Sequence, residues 1–475
     1  MIVLSARRIG VLFMTVAIVF AVVSLIAAAI RLSNPDPYSI ELLFKVGQSG
    51  SFSTWVQCLV LLLCSLLLWL LSNYPFPNRD VVAQNHWRWL AVGFLLLSIN
   101  EKAGVHEAFE KWALDQLNPT IPLGWALWAV PFLIIAALLP VIYRRFLASL
   151  PARTRRLFVI SGVIFVGGIL GFELIGETIE TLDLSAQSVE SASMLLSVFR
   201  SLEEGCELLG AALFLYTLLD YARVAIGTLN LRFSNTPAAE TNTITLSPRR
   251  IALSMNVIVI VLIGISAAIR YYQSLPNYVN PYGFTIILNA NQEASIPTWY
   301  SVFAMVFCAA LLWLIAAGHK RDAGRERLGF VLHWRVLALI FIYLALDDSS
   351  ELHERTAEPL RLLLNTSGAL YFSWVIPGMI FAGLVALAYL PMLRRLPRRT
   401  TAIIMIGGAI FVSGAIGLEM VSAVETSAEG GGGALTRALG PVEELFEMAG
   451  IAVFAYGLLD YLAATVEHLE LRFEK

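Results

Sequence analysis

The feature that most restricts this chain is a succession of apolar runs, each about 20 residues long, separated by polar loops. An α-helix rises 1.5 Å per residue, so roughly 20 apolar residues cover the hydrocarbon core of a bilayer. Such runs fall near residues 9–30, 55–73, 89–106, 123–143, 157–177 and 198–221. They recur near 251–269, 299–317, 334–351, 371–393, 402–422 and 441–465. A backbone in lipid must satisfy its own hydrogen bonds, which leaves the helix as the form available to runs of this length. Charged residues make up only 14% of the chain, against roughly 25% in a soluble domain. The expectation is an all-α polytopic membrane protein of about 12 transmembrane helices. The first run follows Arg7 and Arg8 in the manner of a secretory signal. A matching segment at 249–270, deep inside the chain, argues instead that 9–30 is a retained helix.

Six runs followed by six suggest a duplicated unit, and short anchors repeat in register. "HWR" stands at His86–Arg88 and His333–Arg335, and "TW" at 54–55 and 298–299. Trp128 and Pro131 correspond to Trp374 and Pro377, "FVGGILGFE" at 165–173 to "FVSGAIGLE" at 411–419, and "EEGCELLG" at 203–210 to "EELFEMAG" at 443–450. "LLDY" and "LRF" recur as well, at 218–221 and 458–461, and at 231–233 and 471–473. The sequence predicts two tandem pseudo-symmetric six-helix repeats, residues 1–233 and 251–475, joined by a polar linker, 234–250, without apolar periodicity. An even number of helices returns the chain to its starting side, so both repeats take the same membrane orientation. Arginine-rich loops at 143–156, 318–327 and 394–399 place those loops, the linker and both termini in the cytoplasm, with a plasma (inner) membrane as the expected location.

Several function classes drop out. No basic patch suits nucleic acid, and Cys58, Cys64, Cys206 and Cys308 all lie inside apolar runs, forming neither a disulfide framework nor a CxxC metal pattern. Histidine boxes and a Walker-type loop are absent from the sequence. The expected partners are the lipid bilayer and a small cation or small-molecule substrate.

What needs explaining is the placement of the acids. On this topology three clusters in each half reach the outward side. The third run ends with Glu101, His106 and Glu107, and the ninth with Asp347, Asp348, Glu351, His353 and Glu354. Glu173 and Glu177 lie on the fifth run, and Glu419 on the eleventh. The sixth opens with Glu203, Glu204 and Glu207, and the twelfth with Glu443, Glu444 and Glu447. A charge near the bilayer centre costs about 2.5–3.5 kcal/mol on insertion scales, so such acids mark function before decoration. At 100° per residue Glu203 and Glu207 share a face, as do Asp347, Glu351 and Glu354, with His353 pointing elsewhere unless the helix is already ending. Like charges so spaced repel and call for a cation, a basic partner or shared protons. One repeated arginine is available to these acids as a partner: Arg31 and Arg270, each ending "AAIR".

A divalent metal (Zn, Fe, Mn or Ca) would fill the deficit, with carboxylates and one imidazole per half as its donors. The competing bland readings are an acidic first turn favoured by the helix dipole at Glu203 and Glu443, interfacial anchors at His86 and His333, and loop-arginine partners for Asp220 and Asp460. Glycines at 168, 171, 414 and 417 predict close helix approach beside Glu173 and Glu419. The leading expectation is a secondary transporter or permeation protein for a divalent metal or protons. A membrane-embedded metalloenzyme working on water or dioxygen, and a metal-stabilised scaffold or sensor subunit, are the alternatives.

Overall fold

In a computed structural model the described residues are 2–33, 50–74, 81–117, 130–180, 186–236, 243–275, 278, 283–321, 325–429 and 433–474. Side chains are described for these except at 27–33, 81–83, 114, 132, 173–174, 176–180, 186–194, 320–321, 325–329 and 429. The first half runs α1 (Ala6–Ser33), α2 (Phe52–Asn73), α3 (Val81–Ala103), α4 (Val105–Leu117), α5 (Val130–Ser149), α6 (Ala152–Glu180) and α7 (Ala186–Ala225). The second runs α8 (Pro248–Gln273), α9 (Phe284–Ile287), α10 (Ile296–Arg321), α11 (Arg325–Ser350) and α12 (Leu352–Leu364). It continues with α13 (Val375–Leu393), α14 (Arg398–Val412), α15 (Glu419–Glu429) and α16 (Ala434–Thr465).

Helix makes up 84% of the structure. Among the described residues ten helical segments are long and apolar enough to cross a membrane, on α1, α2, α6, α7, α8, α10, α11, α13, α14–α15 and α16. This is a helical, multi-pass membrane protein. Two expected spans fall outside the ten. The run at 89–106 lies on α3, which is helical but carries Arg88, Asn100, Glu101 and Lys102. The run at 123–143 falls partly outside the described residues, and its described part, α5, holds Pro140, Arg144 and Arg145.

Two compact units emerge, one dominated by Val3–Thr228 and the other by Leu229–Val279 and Thr285–Leu471. Within the first, α7 packs against α1, α2 and α6, and α2 against α3. Within the second, α16 packs against α8, α10 and α14, and α10 against α11. The central helices carry the cores: Leu208, Leu215 and Leu218 on α7 are fully buried, as are Leu458, Leu459 and Leu462 on α16. Helices in lipid gain little from apolar burial against one another and rely on close packing. Accordingly a Cβ at Gly210 would fall 2.8 Å from Phe165, and one at Gly450 2.5 Å from the backbone nitrogen of Phe411.

The "TW" anchor proves to be a helix start. Ser51 accepts from the Thr54 N–H at 3.2 Å, and Ser295 from the Thr298 N–H at 3.2 Å, each satisfying an orphan donor of the first turn. Short strands, which the apolar-run reading did not foresee, occupy β1 (Ile2–Ser5), β2 (Thr228–Phe233), β3 (Thr243–Leu246) and β4 (His468–Glu474). Both copies of "LRF" lie in strands, β2 and β4. The expected linker is not structureless, since β3 pairs in parallel with β2, Asn230 opposite Thr243 and Phe233 opposite Leu246.

Candidate functional site

The acids of the sixth and twelfth runs are not at helix starts. α7 begins at Ala186 and α16 at Ala434, so Glu203 and Glu443 sit more than two turns inside. The dipole reading of these clusters falls with that geometry, because the dipole's effect is confined to the first turn.

In the first half, Gln57 on α2 projects between α3 and α7. Its Nε2 donates to Glu101 Oε2 at 3.2 Å and to Glu207 Oε2 at 2.6 Å. Glu204 lies within electrostatic reach of Glu101. One of its oxygens, Oε2, is buried without a hydrogen-bond partner among the described residues. Cys58 and Lys102 are buried beside this group, Lys102 only 2% exposed. The approach of α6 to α7 is set by Gly168: a Cβ there would lie 2.7 Å from the Cys206 Cβ and 3.3 Å from the Glu203 carbonyl.

The second half assembles corresponding positions. Ser301 on α10 donates to Asp348 Oδ2 on α11 at 2.9 Å. Asp348 lies within electrostatic reach of Glu444 and Glu447 on α16, and Glu293, ahead of α10, within reach of Glu444. Gly414, just past the end of α14, packs against α16, where a Cβ would meet the Glu443 carbonyl at 3.0 Å and Glu447 Cγ at 3.0 Å. Gly171 and Gly417 have nothing within 4 Å, so only one glycine of each expected pair makes a close approach.

A second pairing sits at the junctions of α3 with α4 and α11 with α12. The expected continuous face of Asp347, Glu351 and Glu354 does not exist, because α11 ends at Ser350 and Glu351 takes the left-handed conformation, φ 54°. Gly104 holds the corresponding place in the first half with φ 59°. The left-handed residue turns the chain so that the histidine two places on folds back onto the helix it left. His353 donates its N–H to Asp347 Oδ1 at 3.0 Å, and its Nδ1 pairs with Asp347 Oδ2 at 3.0 Å. His106 donates its N–H to Asn100 Oδ1 at 2.8 Å, with Nδ1 3.0 Å from the Asn100 amide nitrogen. One copy is an acid–imidazole pair and the other a neutral amide–imidazole pair. Burial tends to lower the His353 ring, but the hydrogen bond and charge of Asp347, aided by Glu419 and Glu354, push it up to about 10. Burial holds His106 below the ordinary imidazole value, opposed by Glu107.

The His353 ring packs 4.7 Å from that of Trp374, whose Nε1 donates to Glu419 Oε1 at 2.7 Å. Ahead of Glu419 the helix widens into a π turn over Ser413–Leu418. Glu107 and Glu354 are exposed on α4 and α12. The side chains of Glu173, Glu177 and Arg31, and Trp128 altogether, lie outside the described residues. Arg270 donates to Asn291 Oδ1 and to the Arg437 carbonyl, so its described partners are neutral rather than the acids expected for it. Asp220 pairs with Arg153 at 3.5 Å and Arg223 at 3.0 Å, and Asp460 with Arg399 at 3.4 Å, which removes both acids from the site. His86 and His333 stack edge-on against Tyr143 and Tyr389, as anchors do.

Among the described residues no group of three or more His, Cys, Asp or Glu is arranged to hold a metal ion. A cavity lined by Asn85, His86, Trp89, Ile142 and Tyr143 contains none of the acids. Gln57, Ser301, Glu293 and Trp374 were not singled out as site residues from sequence. A family model described as Domain of unknown function (DUF8692) matches residues 11–222 and 255–461. No curated protein and no solved structure matches the chain.

Proposed function

This chain belongs to the DUF8692 family, and from its site we propose a proton-handling membrane protein, a secondary transporter or permeation protein built from two repeats. The observation that carries the reading is the Gln57 amide held between Glu101 and Glu207, carboxyl groups delivered by two different helices to one nitrogen. One N–H₂ group cannot neutralise two carboxylates in an apolar surround, whereas a carboxyl pair holding one proton can share it. The orphaned Glu204 oxygen beside them is a ready acceptor for that proton, or for water. Ser301, Asp348, Glu444 and Glu447 form the second copy of the relay.

A divalent metal remains the alternative occupant, its candidate ligands being Glu101, Glu204 and Glu207 in one half and Asp348, Glu444 and Glu447 in the other. Matched helix packing, matched caps and matched Arg153–Asp220 and Arg399–Asp460 pairs support the two-repeat reading. The arginine-rich loops support a plasma membrane with cytoplasmic termini. A second reading, an enzyme, draws on Asp347–His353, an acid–imidazole pair whose charged ring can serve as general acid.

The test is proton flux into proteoliposomes holding a trapped pH dye, driven by an imposed potential, with metal content measured on the same preparation. Under the proton reading, wild type acidifies the lumen without stoichiometric metal, and Glu207→Gln with Glu447→Gln abolishes the flux. Unchanged flux in the double variant overturns it. Flux that requires one bound metal per half reassigns the sites to a metal.

A further inference from the structure

The two most exposed large apolar side chains among the described residues do not lie on a membrane span. They are Leu363, 78% exposed, and Leu362, 74% exposed, in the last turn of α12, followed by Leu364 at 47%. By comparison Leu387, an outward residue of the span α13, is 70% exposed. α12 has 13 residues and no buried side chain. Its length is about 20 Å, too short to cross a bilayer. Both ends are tethered to spans: Glu351 follows the span ending at Ser350, and the next span opens at Val375.

The arginines of α12 are engaged with the protein itself, while Glu354, Thr356 and Glu358 are exposed. Arg355 donates to the Ser350 carbonyl at 3.2 Å and pairs with Glu351 at 3.7 Å. Arg361 pairs with Glu358 at 3.5 Å and lies 4.3 Å above the Tyr371 ring. The exposed apolar residues are Pro359, Leu362 and Leu363, at i, i+3 and i+4, with Leu364 beside them, in the C-terminal half of a helix held at the membrane surface by its own connections.

We propose that α12 is an interfacial helix, lying in the headgroup layer of the membrane the protein spans, with Leu362, Leu363 and Leu364 in the acyl boundary. The occupant of this face is lipid, because the helix cannot leave the surface to which two adjoining spans bind it, and its last turn, Leu362 to Leu364, is exposed and uncharged. α4, also 13 residues, carries Trp112, 40% exposed, a residue type that favours the headgroup level. The lipid-facing turn and His353 stand at opposite ends of one helix, so membrane contact fixes the end that bears the imidazole.

The proposal stands apart from the proton reading and is tested without any flux assay. A nitroxide is placed at Leu363→Cys in a Cys206→Ser background, Cys58, Cys64 and Cys308 being buried. In proteoliposomes of phosphatidylcholine and phosphatidylglycerol, collision rates with oxygen and with a water-soluble nickel chelate are compared. The expected result is oxygen collisions several-fold above nickel collisions, as at a Leu387→Cys control, with the order reversed at Glu358→Cys. Nickel collisions exceeding oxygen at position 363 place the face in water and overturn the proposal. Low collision rates for both, with spin–spin broadening that vanishes on dilution with unlabelled protein, assign the face to a second copy and overturn it too. Leu362→Cys repeats the measurement where Leu363→Cys fails to fold.

Discussion

The Asp347–His353 pair can be converted into the version the first half already contains. In Asp347→Asn the amide oxygen still accepts the His353 N–H, as Asn100 accepts that of His106 at 2.8 Å. The backbone geometry therefore survives, and the negative charge alone is removed. In the wild type that charge and its hydrogen bond carry the ring from an ordinary 6.5 to about 10, against the burial that opposes them. At 1.36 kcal/mol per pH unit the difference amounts to about 5 kcal/mol of preference for the charged ring, an upper value. The imidazole is 26% exposed, and solvent screens part of it. The sign follows from the direction: a raised folded-state value stabilises the fold fully below pH ~6.5, and that contribution disappears as pH climbs through about 10. In the variant, burial is left without its main counterweight, and the ring titrates below ~6.5, the direction His106 takes. Histidine-labelled NMR in nanodiscs reads this directly, since the chain has six histidines and His353→Gln assigns the resonance. The expected outcome is a charged His353 at pH ~8 in wild type and a neutral one in Asp347→Asn. Thermal stability falls as pH rises from ~6.5 to ~10 in wild type only. A wild-type ring titrating near 6.5, or identical titrations in both proteins, refutes the reasoning.

Three further outcomes follow from the packing. Gly414→Ala drives a methyl against the Glu443 carbonyl and Glu447 and costs about 1–3 kcal/mol, whereas Gly417→Ala, with open space around it, shifts stability by no more than ~0.5 kcal/mol. Equal melting shifts in detergent would show that the helices do not touch there. Gln57→Leu strips Glu101 and Glu207 of a shared donor, costs about 1–3 kcal/mol and lowers proton flux, which denaturation and the dye assay read separately. Asp220→Ala strands Arg153 and Arg223 around an acid side chain only 8% exposed, and costs more than Asp460→Ala, where the pair is looser and the acid 23% exposed. The reverse order in chemical denaturation contradicts that account.

The apolar runs located the ten spans because hydrophobicity over about 20 residues is a local property of the chain. Pairs that repeat in register were equally legible, as with Asp220 and Asp460 meeting arginines, although Arg153 and Arg399 stand in the first turns of helices rather than in loops. Long-range choices were not. Gln57 and Ser301 are ordinary polar residues until folding brings acids from other helices against them. The break at Glu351 is hidden because a glutamate seldom adopts positive φ, while Gly104, its counterpart, is the residue type that carries the signal. Arg270 read as a counter-ion by charge alone, yet its helix delivers it to Asn291 and a main-chain carbonyl. The "LRF" repeats belonged to strands too short for alternation to reveal.

The wide turn at Ser413–Leu418 sets the azimuth of everything beyond it. A π turn takes up one residue more than an α turn, and each residue of a helix advances the direction of its side chains by 100°. Glu419 meets the Trp374 indole at the far edge of that turn. Were the extra residue to pass along the helix, the carboxyl would swing by about a quarter of a revolution and the indole would lose its acceptor. The glutamate's aim is thus a matter of phase, and the six residues before it work as a rotary coupling rather than a spacer.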